Sequence, residues 1–195
     1  MQIYQNKTKS IAWFVSNCHA FNKRLDLVKK LQTLIDVDIY GKCGTLKCNE
    51  MECNHLLTST YKFYLSFENS LCIDYVSEKF FRPLEEYNIP IVYNGVKNNS
   101  NFGPPKSFID ANNFETIEAL VDYLKYLIDN PREYIKYFWW KKHYRVKTHN
   151  NYLYAFCNLC QKLNDENFMS QKLQYDDMHS WYNEDKCDQN YGLKI

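Results

Sequence analysis

Runs of strand length alternate with stretches of helical spacing along most of this chain, and few architectures accept that order. Ile11–Val15 is a short apolar run that stops at Ser16 and Asn17, and it reads as a buried strand. Leu25, Val28, Leu31, Leu34 and Ile35 then recur at the spacing of one helix face. Val37–Tyr40 is a second strand, closed by Gly41. Residues 42–60 are polar, hold three cysteines and show no periodicity, which predicts a loop held by cross-links. Tyr61–Phe67 alternates and is rich in aromatics, a third strand. Val76–Tyr87 reads as a helix with Phe80, Phe81 and Leu84 inward, kept short or kinked by Pro83. Ile89–Tyr93 is a fourth strand, Asn94–Pro105 a loop and Phe108–Asp110 a short extended piece. Thr116–Asn130 places Ile117, Leu120, Val121, Leu124 and Leu127 on one helix face and ends at Asn130-Pro131. Arg132–Arg145 predicts a further helix, rich in Tyr and Trp, and a polar tail follows Asn150. The fold class is therefore α/β: a Rossmann-like parallel sheet flanked by helices. In such sheets ligands bind beyond the carboxyl ends of the strands, at the switch point of the topology.

The length of 195 residues suits one main domain. The reading divides it into a polar lead-in at 1–10, a ligand-binding domain at 11–150 and a cysteine-containing tail at 151–195 packed on it. Lys and Arg number 24 against 23 Asp and Glu, a net charge of +1. No bulk basic field argues for nucleic acid. Only five glycines are present, so a Gly-rich nucleotide loop has little material. Eight cysteines, Cys18, Cys43, Cys48, Cys53, Cys72, Cys157, Cys160 and Cys187, fit disulfides in an oxidising lumen, with zinc and plain buried thiols as the other readings. Their connectivity is not deducible. Cys157 and Cys160 lack a strand–helix start around them, so a structural disulfide is favoured there over a redox pair, with Cys187 pairing elsewhere. Asn6-Lys7-Thr8 and Asn98-Asn99-Ser100 are glycosylation acceptor patterns that agree with a secretory route. Residues 1–10 carry no apolar core of a signal peptide, and no run of the roughly 18 apolar residues of a membrane span occurs. A lumenal protein without a signal leads to the expectation of an upstream part beyond this chain.

The residues that follow the strands carry the chemistry. After the first strand come Ser16, Asn17, Cys18 and His19, then Lys23 and Arg24 at a helix entry. After the third come Glu68, Asn69 and Ser70, then Asp74, Tyr75 and, at the next helix start, Ser77, Glu78 and Lys79. A helix N-terminus offers free N–H groups and a positive dipole to an anion. An Arg and a Lys at two such starts can clamp a diphosphate, the Arg as a bidentate fork and the Lys as a point charge. A carboxylate beside the Lys, Glu78, suits the two hydroxyls of a ribose. Tyr75 can pack on a purine. The plainer reading of Ser77-Glu78 is a helix cap with solvated charges.

The stretch from Phe63 to Lys79 contains Phe67-Glu68-Asn69-Ser70, Asp74-Tyr75-Val76 and Ser77-Glu78-Lys79, and it resembles the signature of the α1,3/4-fucosyltransferase family. Trp13–Cys18 with Arg24, Val37–Gly44, Ile89–Val92, the segment ending at Asp110 and Tyr137–Lys141 resemble its flanking elements. The resemblance covers residues 11–187. It implies the C-terminal domain of a GT-B glycosyltransferase that binds GDP-fucose, with no obligatory metal and no tightly bound cofactor. It also implies an acceptor glycan bearing N-acetylglucosamine, α1,3 transfer with inversion, and a Golgi lumen location. Arg24 and Lys79 would hold the diphosphate and stabilise departing GDP. Glu78 would bind the ribose, Tyr75 and Asn69 would complete the nucleotide pocket, and Glu68, Ser70 and Asp74 would support them. The family's general base lies in its other domain, so no residue here is assigned as catalytic base, and the chain alone is expected to show little transfer. Two further readings stand beside this one: a GDP-fucose-binding domain without catalysis, and a disulfide-linked interaction module.

Several other features read more plainly. Asp36 and Asp38 share the spacing of a metal-binding pair, but the family pattern does not use it. His19 reads as a surface histidine. His143 and His149 lie near Lys141, Lys142, Arg145 and Lys147, a run that reads as a solvated helix face. Trp139 and Trp140 read as helix packing with Tyr134 and Tyr137. The tail carboxylates Glu166, Asp176, Asp177 and Glu184 have no motif reason to act as a base.

Overall fold

In the computed structural model, residues 2–146, 152–171, 174–183 and 186–187 are described. The expected His149, Lys147 and Glu184 lie outside them. The elements run α1 (Gln2–Gln5), β1 (Lys9–Phe14), α2 (Arg24–Gln32), β2 (Val37–Tyr40), α3 (Glu50–Ser59), β3 (Tyr61–Phe67), α4 (Glu78–Glu85), β4 (Ile89–Tyr93), β5 (Ile109–Asp110), α5 (Ile117–Asp129), α6 (Pro131–Lys136), α7 (Tyr152–Leu163), α8 (Glu166–Met169) and α9 (Met178–Asn183). The strands form one sheet in the order β2-β1-β3-β4-β5, every pairing parallel. β2 leaves β1 on one side and β3 joins it on the other, so the switch point lies between β1 and β3.

The sheet is covered on both faces, and the period of two along each strand decides which face a residue joins. Ile11, Trp13, Phe63 and Leu65 pack with Leu27, Val28 and Leu31 of α2 and with Leu120, Val121 and Leu124 of α5. Ala12, Tyr40 and Tyr64 pack with Leu57 of α3 on the opposite face. Phe80 and Leu84 of α4 pack with Val92 and Trp140. Central β3 is buried at all seven positions, so its expected alternation of buried and exposed residues is absent. A strand covered by helices on both faces has no solvated side.

Four readings need correction. Residues 42–60 are not all loop, because α3 occupies Glu50–Ser59. It buries only Cys53 and Leu57, too little for an apolar period to show, and its start is fixed by a capping box between Asn49 and Glu52. The first ten residues are no lead-in: β1 begins at Lys9, Lys7 is 1% exposed, and Tyr4 packs edge-on to Tyr134. The expected helix at Arg132–Arg145 breaks after α6 at Tyr137 and resumes as a 3-10 turn over Trp139–Lys142. This break lets Trp140 enter the core while Trp139 stays half exposed, its indole donating to the Pro105 carbonyl at 2.9 Å. The tail is not packed throughout: every described side chain of α7 is exposed.

Three disulfides join Cys18 to Cys43, Cys48 to Cys53 and Cys72 to Cys187. Cys157 and Cys160 are free and exposed, against the expected bridge between them. They sit three apart inside α7, where helical backbone geometry already fixes their positions. The bridges Cys18–Cys43 and Cys72–Cys187 both tie down loops that leave the carboxyl ends of strands. Two glycines permit close approach at the same edge. Gly41 has φ +98°, and a Cβ there would lie 2.4 Å from the Val15 carbonyl oxygen. A Cβ on Gly95 would lie 2.4 Å from the Leu71 carbonyl carbon, so the segment after β4 can lie against the loop after β3.

Candidate functional site

The loops after β1 and β3 meet at the switch point and are stitched together there. The Asn22 amide donates to the Glu68 carbonyl at 2.8 Å. Arg24, the first residue of α2, donates to the Phe67 carbonyl at 2.6 Å and to the Asn17 carbonyl at 3.0 Å. Its guanidinium sits 5.5 Å from the Trp13 ring and is only 2% exposed. Its Nε is buried without a partner among the described residues. Burial pulls this guanidinium below its ordinary pKa, while Glu68, Tyr64 and Tyr75 work against that shift. Arg24 thus lies beneath the loops in this structure and joins them.

Glu68 organises the start of α4. Its side chain is 1% exposed and accepts from the Ser77 N–H at 2.7 Å and the Ser77 hydroxyl at 2.8 Å. Ser77 is the N-cap of α4, accepting from the Lys79 N–H. The Lys79 ammonium lies 2.9 Å from Ser77 Oγ, 3.1 Å from Glu78 Oε1 and 3.4 Å from Glu68 Oε2. Lys79 is 20% exposed, while the Glu78 side chain is 68% exposed. Burial pushes the Glu78 carboxyl up, but the hydrogen bond and charge of Lys79 outweigh it and hold the pKa below the ordinary value. Glu78 is therefore an ionised acceptor facing solvent, and it is the partner that a bound anion could most easily replace at Lys79. The positive end of the α4 dipole points to the same place.

Asn69 and Ser70 are half-buried in the loop that follows, and Tyr75 is half-buried before Ser77. Lys23, just ahead of Arg24, and Asp74, just ahead of Tyr75, both hold left-handed backbone, with φ 53° and 58°. Non-glycine residues adopt that region at some cost, and both instances flank the switch point. Two clefts adjoin the start of α4. One, of about 650 Å³, runs from Glu78 along Phe81 to Phe102, Trp140 and Tyr144. The other, of about 520 Å³, opens beside Ser70 and Tyr75.

Sequence reasoning missed a second polar cluster on this edge. Asn94 directly follows β4, and its amide donates to Asn99 Oδ1 at 2.9 Å. Asn99 in turn donates to Asp110 at 2.7 Å, and the Asn112 amide donates to the Asn94 carbonyl at 3.0 Å. Burial raises the Asp110 pKa, with Asn99 and Asn112 opposing. The signal available was an Asn directly after the run Ile89–Tyr93 and another two residues after Asp110. This network holds the segments after β4 and β5 beside the signature loop.

The plainer features also have places. Asp38 pairs with Lys9 at 2.5 Å and accepts from the Tyr61 hydroxyl. His19 and His143 are exposed. Lys141 is not on a solvated face: it is half-buried and donates to the last carbonyls of α4, Leu84 at 2.8 Å and Glu85 at 2.9 Å. Burial lowers its pKa to about 8, against the pull of Glu86 and Glu85. Asp177 holds the start of α9 through the His179 and Ser180 N–H groups, and the described carboxylates Glu166, Asp176 and Asp177 are exposed. Asn6 and Asn98 are exposed, as acceptor asparagines must be.

Comparison with known proteins accords with this geometry. The family model "Glycosyltransferase family 10 (fucosyltransferase) C-term" matches residues 4–181. "Alpha-(1,3)-fucosyltransferase C" of Drosophila melanogaster is 44% identical over 182 residues, which cover 92% of this chain and 42% of that protein. "Glycoprotein 3-alpha-L-fucosyltransferase A" of the same organism is 39% identical over 183 residues, covering 91% of this chain and 35% of that protein. The chain thus spans less than half the length of these relatives. A solved alpha1,3-fucosyltransferase with GDP-fucose superposes with a TM-score of 0.62 over 87% of this chain and 49% of that one, at 22% identity, a likeness of fold. The match of the family model to nearly the whole chain settles the kinship: the chain belongs to glycosyltransferase family 10, the fucosyltransferases.

Proposed function

We propose that this chain binds GDP-fucose and serves the transfer of fucose, in α1,3 linkage and with inversion, to an N-acetylglucosamine unit of a glycan. The observation that carries the reading is the start of α4, where Lys79, held by buried Glu68 and Ser77, sits beside an ionised and exposed Glu78. The leaving GDP gains negative charge as the bond to fucose breaks. A cation already in place at the phosphate lowers that barrier, because it need not be recruited during the reaction. Lys79 and the positive end of the α4 dipole supply this charge. Glu78 accepts from the ribose hydroxyls once it gives up Lys79, and Asn69 and Tyr75 close the pocket around the nucleotide. Arg24, by resemblance a diphosphate ligand, holds the two loops together in this structure and would reach the anion by exchanging a carbonyl for a phosphate oxygen. Glu68 is a positioning residue: it acts through Ser77 and Lys79.

The glycan hydroxyl needs a general base. No carboxylate here is assigned that role, which by family resemblance belongs to the other domain, so the chain assayed alone is expected to bind donor and transfer little. A Golgi lumen location is supported by the three disulfides and by the exposed sequon asparagines Asn6 and Asn98. The test is calorimetric titration with GDP-fucose of the native chain and of the double variant Arg24→Ala/Lys79→Ala. Saturable binding that the double variant loses supports the reading, and unchanged affinity in the double variant refutes the clamp.

A further inference from the structure

The loop between β3 and α4 carries Asn69 and Tyr75, and its parts are held by different means. Its end at α4 is fixed from inside the domain. Glu68 is 1% exposed and accepts from the N–H and hydroxyl of Ser77, and the Lys79 ammonium lies against both side chains. That hold needs nothing from the tail. The middle of the loop is a turn in which the Tyr75 N–H donates to the Cys72 carbonyl at 3.3 Å and Asp74 takes left-handed backbone, with φ 58°. Ile73 and Asp74 are exposed, so packing does not fix this turn. A left-handed aspartate persists only where its surroundings hold it.

Those surroundings come from two segments distant in sequence. On one side lies Gly95, so close that a Cβ there would come 2.5 Å from the Cys72 nitrogen. On the other side lies the tail. Cys187 is bridged to Cys72 across 115 residues, and the two pair as an isolated antiparallel bridge. Next to them the Ile73 N–H donates to the Lys186 carbonyl at 2.6 Å. The turn is thus pinned to the tail at Cys72 and Ile73, within three residues of Tyr75. A loop that is ordered before its ligand arrives binds more tightly, because binding does not have to order it.

We propose that Cys72 and Cys187 are positioning residues of the donor site: their bridge makes the tail a brace that holds the turn and, through it, Tyr75 against the nucleotide. The nucleoside end of the donor then depends on the tail, while the diphosphate end at Lys79 does not. The proposal rests on the donor-site reading, and the experiment separates the two.

The test is calorimetric titration with GDP and with pyrophosphate of the oxidised native chain and of the double variant Cys72→Ser/Cys187→Ser, each with and without Tyr75→Ala. Thermal melts check that every variant folds. The native chain is expected to bind both ligands. Removing the bridge is expected to weaken GDP about tenfold, or ~1.4 kcal/mol, and to change pyrophosphate by less than about twofold. Tyr75→Ala is expected to weaken GDP in the native chain and to add little once the bridge is gone, because the bridge acts through that residue. Native binding of GDP that survives loss of the bridge unchanged would overturn the brace alone. So would equal losses for GDP and pyrophosphate, or losses from the bridge and from Tyr75 that simply add. Failure of the folded native chain to bind GDP would overturn the brace together with the donor-site reading. Should the serine variant not melt cooperatively, the native chain is treated instead with rising amounts of a water-soluble phosphine, and each bridge is followed by alkylation and mass spectrometry. Loss of GDP affinity that follows alkylation of Cys72 and Cys187 supports the proposal, and loss that follows Cys18 or Cys48 instead overturns it.

Discussion

At the amino-terminal edge of the sheet, Lys7 is 1% exposed and donates to the carbonyls of Leu57 at 2.5 Å and Tyr61 at 2.8 Å. At the carboxyl-terminal edge, Lys79 is 20% exposed and is held by Ser77, Glu78 and Glu68. Both are lysines at helix ends, and the ends differ. Lys7 meets the C-terminus of α3, where unpaired carbonyls welcome a donor, and Asn88 closes the same group by donating to Tyr61 at 2.7 Å. Lys141 does the same for α4. Lys79 stands at an N-terminus, where the helix itself carries partial positive charge and a lysine adds to it. Such a cation is poorly placed as a cap and well placed for an anion, and it needs a buried carboxylate, Glu68, to hold it until one arrives. Burial alone does not separate the structural lysines from the one proposed to meet an anion. The direction of the helix does.

The sharpest test of this contrast is Lys7→Ala. It removes a buried side chain and one of the two donors to each of the Leu57 and Tyr61 carbonyls, leaving both to Asn88, so we expect a loss of about 3 kcal/mol of stability in urea melts. A loss below about 1 kcal/mol would break the comparison. The next effect is on binding: Lys79→Ala should weaken GDP by about 2 kcal/mol, measured by calorimetry. Its stability should fall by only about 1 kcal/mol, because Glu68 keeps both bonds from Ser77. Glu78→Ala should weaken GDP by about 1 kcal/mol and leave free pyrophosphate unaffected, since its partner is the ribose. Equal losses for both ligands would remove Glu78 from that role.

A pH series sharpens the comparison further. Burial lowers the Lys7 pKa from the ordinary 10.5 to about 7, with Glu86 opposing and Lys62 and Lys141 adding to the shift. Between those values the unfolded chain holds a proton that the folded chain lacks. The Lys7 contribution to stability therefore rises with pH from about 7 to about 10.5 and is flat below that window. The slope between pH 7 and pH 9.5 should fall in Lys7→Ala to the smaller part that Lys141, lowered to about 8, contributes above that pH, and an unchanged slope in that variant would assign it to other groups.

Much of the site was legible because its local chemistry is concentrated. Strand, loop and helix start follow one another from Phe63 to Lys79, and each residue type there has a reason visible in one dimension. The parallel sheet was legible for the same reason: β2, β3 and β4 have the expected bounds. What could not be read depends on partners distant in sequence. Lys7 in a polar segment gave no sign that it would be buried, since its acceptors lie 50 and 54 residues away. The Cys72–Cys187 bridge spans 115 residues and has no spacing rule. Arg24 was placed correctly at the start of α2, but its two carbonyl partners come from the loops it joins, and only the fold shows them. α3 shows in the sequence only through the capping box of Asn49 and Glu52, because its two buried residues are too few to make an apolar period.

The measurement that tests the central claim most directly is calorimetric titration of the oxidised chain with GDP, native and Lys79→Ala side by side. We predict saturable binding by the native chain and about a thirtyfold loss in the variant, the equivalent of the ~2 kcal/mol given above, while its melt stays cooperative. Native binding that Lys79→Ala leaves intact, or no binding by a folded native chain, would contradict a nucleotide site built on the start of α4.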